Sequence, residues 1–244
     1  MSNDYTIAIV QDKIPTEPYY CLSEFYKSLE GENIVVLGTG GKEEFNGLSD
    51  RPRIFYNAIK NGLIKTKYIF ALDCFDLVFV DKPEVVLEKH FLLNANISIG
   101  AEKNCFPNDY REQLDEIAPR NTSYKYLNCG TVIGETDALL ALYESMGAQN
   151  KPRDYFDVGK GHTIHFNEQG WYMEQYLLQP VKIALDYNQN ICNCLQDVTL
   201  GELDFSEERI RNIECNTTPS IWHWNGGSKT AGTQEVILKH LKLR

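Results

Sequence analysis

Residues 68–72 (Tyr-Ile-Phe-Ala-Leu) form a short run in which no side chain is charged and none alternates with a polar neighbour. A strand with one face in water alternates apolar and polar residues, whereas a strand covered on both faces reads as a continuous apolar run. The run therefore predicts a buried strand with a layer of structure packed against each of its faces.

Strand-like and helix-like patterns alternate around this run. Strand-like segments lie at 5–10, 33–37, 77–80 and 97–101, and apolar residues keep helical spacing at 22–29, 53–61 and 85–94. This rhythm is typical of an α/β fold with a mainly parallel, twisted, Rossmann-like sheet that is flanked by helices on both sides.

The second half of the chain is less regular. Strand patterns lie at 128–134 and 181–185, and helical patterns at 137–146, 167–178 and 233–243. The polar segment 147–166 predicts a long loop, and loops of this length are commonly functional. No internal repeat, low-complexity tract or linker divides the sequence, so we expect residues 1–244 to form a single domain.

The charge balance limits the ligands that such a domain could bind. The chain has 34 acidic and 24 basic residues, a net charge of −10. A field of this sign repels phosphate backbones and disfavours nucleic-acid binding. A phosphorylated ligand would need a metal cation or a few well-placed basic side chains.

The N-terminal sequence and the cysteines bear on the cellular compartment in which we expect the protein. The N-terminus has no basic segment followed by an apolar one, and no apolar run approaches the roughly 20 residues of a membrane span. The seven cysteines are scattered, and Cys192 and Cys194 with Cys215 lack the fourth ligand of a closed zinc site. We expect reduced, buried thiols in a cytoplasmic protein of undetermined oligomeric state.

Two acids, Asp73 and Asp76, follow the buried strand directly. Ligands of open α/β sheets bind at the carboxyl ends of strands, and two unpaired carboxylates there would be costly to desolvate. A divalent cation such as Mn²⁺ or Mg²⁺ would offset that cost. One alternative is a turn in which Asp73 caps backbone N–H groups and Asp76 is solvated. Another is a phosphotransferase or phosphatase with Asp73 as nucleophile, although Phe75 stands where such enzymes usually carry a second Asp.

A second feature lies near the C-terminus, where His223 stands between two tryptophans and precedes the turn 226–229 (Gly-Gly-Ser-Lys). An imidazole can complete a carboxylate-rich shell around Mn²⁺, and a glycine turn with a lysine suits a diphosphate. The alternative is a core histidine in aromatic packing beside a surface turn.

Six segments extend these two features into one ordered pattern. Residues 37–45, 70–80, 101–107, 126–134, 167–169 and 223–226 resemble, in this order, the segments Leu-Gly-x-Gly-Glu-Glu-Trp, Phe-Val-Asp-x-Tyr-Asp, Ala-Glu-x-x-Cys-Trp-Pro, Phe-Leu-Asn-Ser-Gly-Gly-Phe-Ile-Gly, Asp-Asp-Gln and His-Gly-Asn-Gly. These segments are those of the glycosyltransferase domain of the procollagen lysyl hydroxylase/glycosyltransferase family. Each match alone is weak, whereas six in the right order are specific.

The resemblance implies a GT-A fold and a metal-dependent enzyme that uses UDP-sugars. It implies a nucleotide-binding part at about 1–101, an acceptor and metal-completing part at about 102–244, and Mn²⁺ or Mg²⁺ at Asp73, Asp76 and His223. It places Phe106 where the family has a gating Trp. The residues that it places at the UDP-sugar are Val10, Gly38, Phe45, Arg53, Asp73, Phe75, Asn128, Gly130, Gly226 and Lys229.

The implied reaction moves a hexose, glucose or galactose, from UDP to a hydroxyl of a protein or glycan, such as a hydroxylysine of a collagen-like chain. The candidate base is Glu168, with Asp186 and Glu102 as further candidates. Asn167 and Glu168 stand where the family has two acids, so one carboxylate remains. Glu168 could instead be a carboxylate that favours a helix N-terminus, and the domain could bind its ligand without catalysis.

Overall fold

A computed structural model describes residues 4–11, 21–38, 50–150, 155–157, 162–164, 167–230 and 232–243, with backbone alone at 155–157, 162–164, 229 and 230. Its strands are β1 Tyr5–Val10, β2 Ile34–Leu37, β3 Tyr68–Leu72, β4 Leu77–Phe79, β5 Ile97–Glu102, β6 Tyr126–Glu135, β7 Tyr155–Asp157, β8 His162–Ile164, β9 Ile183–Leu185, β10 Cys192–Cys194, β11 Leu203–Asp204, β12 Arg211–Asn212 and β13 Ile221–His223. Its α-helices are α1 Leu22–Ser28, α2 Arg51–Lys60, α3 Pro83–Leu92, α4 Arg111–Ile117, α5 Thr136–Ser145, α6 Glu168–Leu178 and α7 Thr233–His240.

Within the described residues, the central sheet has six strands in the order β2-β1-β3-β6-β5-β9. Neighbouring strands run parallel except at β6, which is antiparallel to both β3 and β5. The predicted α/β fold with a mainly parallel sheet and flanking helices is therefore confirmed.

Strand β3 is covered on both faces, as its continuous apolar sequence predicts. Ile69 and Ala71 pack into one core cluster with apolar residues of α2, α5, α6 and α7. Phe70 and Leu72 point to the opposite face, into a second cluster with residues of α1 and α3. Successive side chains of a strand point to opposite faces, so one short run supplies both cores.

A second sheet, in the order β10-β13-β4, adjoins the carboxyl end of β3. After β3 the chain turns through residues 73–76, and β4 pairs antiparallel with β13, where His223 stands opposite Leu77. The turn that carries both acids therefore lies next to the last residue of β13.

Several local predictions need correction. The strand predicted at 77–80 joins the second sheet rather than the central one. The segment predicted as a loop at 147–166 contains the paired strands β7 and β8. Helix α4 and the short strands β10, β11, β12 and β13 were not predicted. Among the described residues, no helix combines the length and the apolar character that a bilayer crossing requires.

Candidate active site

The two acids after β3 are held by backbone hydrogen bonds from both neighbouring strands. The N–H of Asp73 donates to the carbonyl oxygen of Gly130 on β6 at 2.8 Å, and the N–H of Trp224 donates to the carbonyl oxygen of Asp76 at 2.8 Å. The turn is thus fixed between the central sheet and the second sheet. It lies at the edge where the parallel strands β1, β2 and β3 all end.

These contacts bring the three predicted metal ligands together. Nε2 of His223 lies 3.4 Å from Oδ2 of Asp73 and 3.5 Å from Oδ1 of Asp76. One donor atom from each residue lies within 4.8 Å of the other two. The side chains of His223 and Asp76 are 1% and 6% exposed, whereas that of Asp73 is 28% exposed and faces the solvent side.

The electrostatics of this cluster favour a positive charge at Nε2. Burial by itself lowers the pKa of His223, but the carboxylates of Asp76 and Asp73 outweigh it and raise the pKa to about 10. Nε2 is buried and has no hydrogen-bond partner among the described residues. The field that favours a proton there also favours a divalent cation between the imidazole and the carboxylates.

Because Gly130 has no side chain, the imidazole of His223 and the carboxylate of Asp73 can lie close to the backbone of β6. A Cβ atom at this position would lie 2.2 Å from Cε1 of His223 and 2.7 Å from Oδ2 of Asp73. Oδ1 of Asn128 accepts a hydrogen bond from the N–H of Gly130 at 3.0 Å and holds the strand in place. The ligand set therefore suits Mn²⁺ or Mg²⁺, since it consists of two carboxylates and one imidazole beside a residue without a side chain.

A cavity of about 610 Å³ opens in front of these groups. It is large enough for a nucleotide-sugar fragment, since ligand pockets commonly enclose about 300–1,000 Å³. Its lining includes the three candidate ligands together with Arg51, Glu102, Asn104, Phe106, Asn128, Cys129, Gly130, Asn167, Glu168, Gln169, Gln196, Asn225, Gly226 and Gly227.

Arg51 is a site residue that was not predicted from the sequence. Its side chain is 6% exposed, and Nη1 lies 2.5 Å from Oδ1 of Asp73 and 2.8 Å from Oε1 of Glu168. The predicted nucleotide-binding Arg53 pairs with Asp50 instead, at 3.1 Å. Pro52 is a signal that could have identified Arg51, because proline in the first turn marks a helix that begins at 51 rather than 53.

Glu168 and Asn167 begin α6 at the wall of the cavity. Oδ1 of Asn167 accepts a hydrogen bond from the N–H of Gln169 at 2.9 Å, so Asn167 is the N-cap of the helix. Burial raises the pKa of Glu168 to about 7, against the opposing effect of the Arg51 guanidinium. Glu168 can therefore exchange a proton near neutral pH.

Glu102, a further candidate from the sequence, ends β5 inside the same cavity. Its Oε1 accepts hydrogen bonds from the amides of Asn128 and Gln169 at 3.1 and 3.0 Å, and its Oε2 accepts one from Asn225 at 2.7 Å. Burial raises the pKa of Glu102 to about 7 in spite of these donors.

Asp186, the remaining predicted catalytic residue, lies elsewhere. Its carboxylate is buried and accepts backbone hydrogen bonds from Asn190, Ile191 and Cys192 at 3.0, 2.7 and 2.9 Å. Asp186 is not among the residues that line the cavity. Its position gives it a structural role in the turn before β10.

The predicted donor-binding residues other than Arg53 divide into three groups. Asp73, Asn128, Gly130 and Gly226 line the cavity. Val10 and Gly38 lie at the ends of β1 and β2, on the same sheet edge, and the half-buried Phe75 packs against the second core cluster. Phe45 lies outside the described residues, and Lys229 lies in a short 3₁₀ helix, Gly226–Thr230, where the backbone alone is described.

Two solved structures of glycosyltransferases share this fold. One acts in the glycosylation of the major capsid of PBCV-1 and has a TM-score of 0.54 at 14% identity, covering 96% of this chain and 98% of that one. The other is apo mouse xyloside xylosyltransferase 1, with a TM-score of 0.52 at 12% identity, covering 92% and 98%. The chain thus has the fold of a GT-A glycosyltransferase domain.

The chain belongs to the family of PLOD GT domains, whose profile matches residues 27–234. It is 26% identical over 241 residues to rat multifunctional procollagen lysine hydroxylase and glycosyltransferase LH3, covering 93% of this chain and 30% of that protein. It is 29% identical over 193 residues to the uncharacterized protein R699 of Acanthamoeba polyphaga mimivirus, covering 78% and 36%. The chain therefore spans about a third of the length of these relatives.

Proposed function

We propose that this domain transfers a hexose, glucose or galactose, from UDP to a hydroxyl group, with a divalent cation held by Asp73, Asp76 and His223. One observation carries the proposal. Among the residues that the structure describes, the buried Nε2 of His223 has no hydrogen-bond partner, and it faces the carboxylates of Asp73 and Asp76 at 3.4 and 3.5 Å. An imidazole aimed at two acids at the end of a strand is a set of cation ligands.

The transfer breaks the bond between the anomeric carbon and the β-phosphate oxygen, and it forms a bond from that carbon to the acceptor oxygen. A bound divalent cation supplies positive charge that stabilises the departing diphosphate. Backbone hydrogen bonds already hold Asp73 and Asp76 in place beside the cation position, so little reorganisation accompanies the reaction. The resemblance to the family further suggests that the ammonium group of Lys229 lies near the β-phosphate, and we include this contact in the proposal.

Glu168 is our candidate to accept the proton of the acceptor hydroxyl, which an inverting transfer requires. Its carboxylate lies on the cavity wall, and its pKa of about 7 suits proton exchange near neutral pH. Arg51 orients it by a contact of 2.8 Å to Oε1. Glu102 has a similar pKa, but three side-chain amides already engage its two oxygens, which suits a positioning role.

The acceptor that we propose is a hydroxyl of a protein or glycan, with hydroxylysine in a collagen-like chain as the first to test. The support is family membership together with the LH3 relatives, which are named as multifunctional procollagen lysine hydroxylases and glycosyltransferases. The exposed Phe106 lines the cavity, so we propose that its ring contacts the acceptor.

The test is release of UDP from UDP-glucose and UDP-galactose, with Mn²⁺ or with a chelator, in the presence of a hydroxylysine peptide. We expect Mn²⁺-dependent release and a glycosylated peptide, both lost in Asp73→Asn and retained in Asp137→Asn, which changes an exposed acid on α5. Release that is insensitive to the chelator and to Asp73→Asn would contradict the proposal. Turnover of a phosphate ester with Mg²⁺, but of no UDP-sugar, would favour the phosphotransferase alternative.

A second candidate is a module that binds the nucleotide-sugar without catalysis. It is favoured by Asn167, which stands at an acidic position of the family and uses its side chain as a helix cap. Asn167→Asp keeps an oxygen that can accept the hydrogen bond from Gln169 and restores the acid. UDP binding without turnover in the wild type, with turnover gained in Asn167→Asp, would support this candidate.

A further inference from the structure

Two cysteines lie behind the imidazole of His223, on the side away from the acids. Cys192 and Cys194 are two residues apart on β10, so their side chains share one face of the strand. Sγ of Cys194 lies 3.9 Å from Nδ1 of His223, and one donor atom from each of the three residues lies within 4.8 Å of the other two. All three residues are fully or almost fully buried.

The backbone fixes this arrangement. Strands β10 and β13 pair in parallel, with Cys192 opposite Ile221 and Cys194 opposite His223. The hydroxyl of Thr131 on β6 donates a hydrogen bond to Sγ of Cys192 at 3.3 Å. Cys215 does not join the group, since its Sγ contacts the carbonyl oxygen of Tyr187 at 3.9 Å.

We propose that Cys192, Cys194 and His223 form a second cation site, for a thiophilic divalent ion such as Zn²⁺ or Cd²⁺, that competes with the proposed hard-cation site for one imidazole. Sulfur donors select soft and borderline ions, whereas the carboxylates of Asp73 and Asp76 select hard ones. Ligation releases the two thiol protons to solvent. Two thiolates then balance one divalent ion, so the buried unit of two thiolates, one neutral imidazole and the ion carries no net charge.

The competition follows from the chemistry of imidazole. A neutral imidazole has one nitrogen with a free lone pair and one that carries a proton. Binding at the thiols uses the lone pair of Nδ1 and leaves the proton on Nε2, which then points at Asp73 and Asp76. Binding at the acids needs the opposite tautomer. One histidine therefore cannot serve both ions while it stays neutral, and a thiophilic ion should act as an inhibitor.

Cd²⁺ is the probe, because its bond to thiolate has a charge-transfer absorption in the ultraviolet. We expect one equivalent of this signal per wild-type chain, lost in Cys192→Ser and Cys194→Ser and retained in the matched control Cys215→Ser. The same signal in a folded Cys192→Ser/Cys194→Ser double variant would overturn the site. If these variants do not fold, cadmium NMR of the wild type decides, since each thiolate ligand shifts the resonance downfield; a shift typical of oxygen ligands alone would contradict the proposal.

Competition is measured with Mn²⁺ by electron paramagnetic resonance of the free ion. At a Cd²⁺ concentration about ten times its own dissociation constant, exclusive binding raises the apparent Mn²⁺ dissociation constant about elevenfold. An unchanged Mn²⁺ affinity with the thiolate signal present would disprove the shared imidazole. The competition step rests on the proposed function, whereas the Cd²⁺ signal does not. A wild type that binds Cd²⁺ at the thiols but never binds Mn²⁺ would contradict the proposed function and still support the thiol site.

Discussion

Arg51 and Asp73 form an ion pair with 2.5 Å between Nη1 and Oδ1, and the same nitrogen lies 2.8 Å from Oε1 of Glu168. Burial lowers the pKa of Arg51, but the carboxylates of Asp73 and Glu168 outweigh it and raise the pKa above its usual range. One permanently charged side chain therefore joins a candidate metal ligand to the candidate base. Because it engages Oδ1 of Asp73, Oδ2 is the oxygen that faces His223.

Removal of this guanidinium should destabilise the fold. Arg51→Met leaves Glu168 buried without its cationic partner, and loss of one partner of a buried pair typically costs about 3–5 kcal/mol. We expect a loss at the lower end, about 3 kcal/mol, in the free energy of unfolding measured with denaturant, because Asp73 is partly exposed. The control Arg120→Met, at an exposed position, should change it by less than about 0.5 kcal/mol.

The coupling between Arg51 and Glu168 can be measured by a double-mutant cycle. Glu168→Gln removes the buried carboxylate, so Arg51→Met should cost less in that background, with an interaction energy of at least about 1 kcal/mol. Additive effects of the two substitutions would show that the contact contributes little to stability.

Glu168→Gln should also separate binding from turnover. If Glu168 accepts the acceptor proton, kcat should fall about 100-fold or more, the usual range for a general base, while UDP affinity changes little. The measurement is steady-state glycosyl transfer together with calorimetric UDP binding, with the exposed Glu116→Gln as the matched control. A wild-type kcat in Glu168→Gln would remove it from the mechanism.

Because Gly130 has no side chain, we expect that even one methyl group at this position disrupts the proposed cation site. In Gly130→Ala the new Cβ would lie 2.2 Å from Cε1 of His223, so the imidazole or the strand has to move. We expect loss of Mn²⁺ binding in a calorimetric titration and a stability loss of about 1–3 kcal/mol from overpacking. Gly201→Ala is the control, because the nearest atom to its Cβ is 3.9 Å away. Wild-type Mn²⁺ affinity in Gly130→Ala would place the cation elsewhere.

The buried carboxyl of Glu102 predicts a pH dependence of stability. Burial raises its pKa from 4.5 to about 7, so the folded state holds the proton more tightly than the unfolded state. The resulting stabilisation is complete below pH 4.5 and is lost as the pH rises through about 7.

Across that window and with a chelator present, the wild type should lose on the order of 3 kcal/mol more of its free energy of unfolding than Glu102→Gln does. Denaturant unfolding at a series of pH values checks this. Parallel stability curves for the two proteins would mean that Glu102 titrates alike in both states.

The sequence predicted the parts of the site that lie directly beside strong local patterns. Asp73 and Asp76 were found because they end a continuous apolar run, and His223 because aromatic residues flank it within a family segment. The GT-A fold and the family followed from ordered motifs and are confirmed by the matching profile and the two similar structures. Local patterns and the order of the motifs can both be read directly from the amino-acid sequence.

What the sequence did not predict depends on contacts between distant segments. Pro52 marks the start of α2, but no local pattern shows that Arg51 is buried against Asp73 and Glu168, because these contacts form only when α2 meets β3 and α6. Nothing in the sequence distinguishes Asp186 from other acids near strands, yet its carboxylate oxygens accept hydrogen bonds from three backbone N–H groups. The residues of β6 likewise do not indicate that this strand runs antiparallel to β3. The direction of a strand in a sheet depends on how the chain connects it to the neighbouring strands.

The cation site proposed at Asp73, Asp76 and His223 is tested most directly by a calorimetric titration of UDP into wild type and Asp76→Ala, each with Mn²⁺ and with a chelator, and with Asp137→Ala as the control. We expect wild type and Asp137→Ala to bind UDP tightly only when Mn²⁺ is present, and we expect no Mn²⁺-dependent binding by an Asp76→Ala protein whose circular dichroism is that of wild type. Equal, Mn²⁺-dependent affinity in wild type and Asp76→Ala would contradict it.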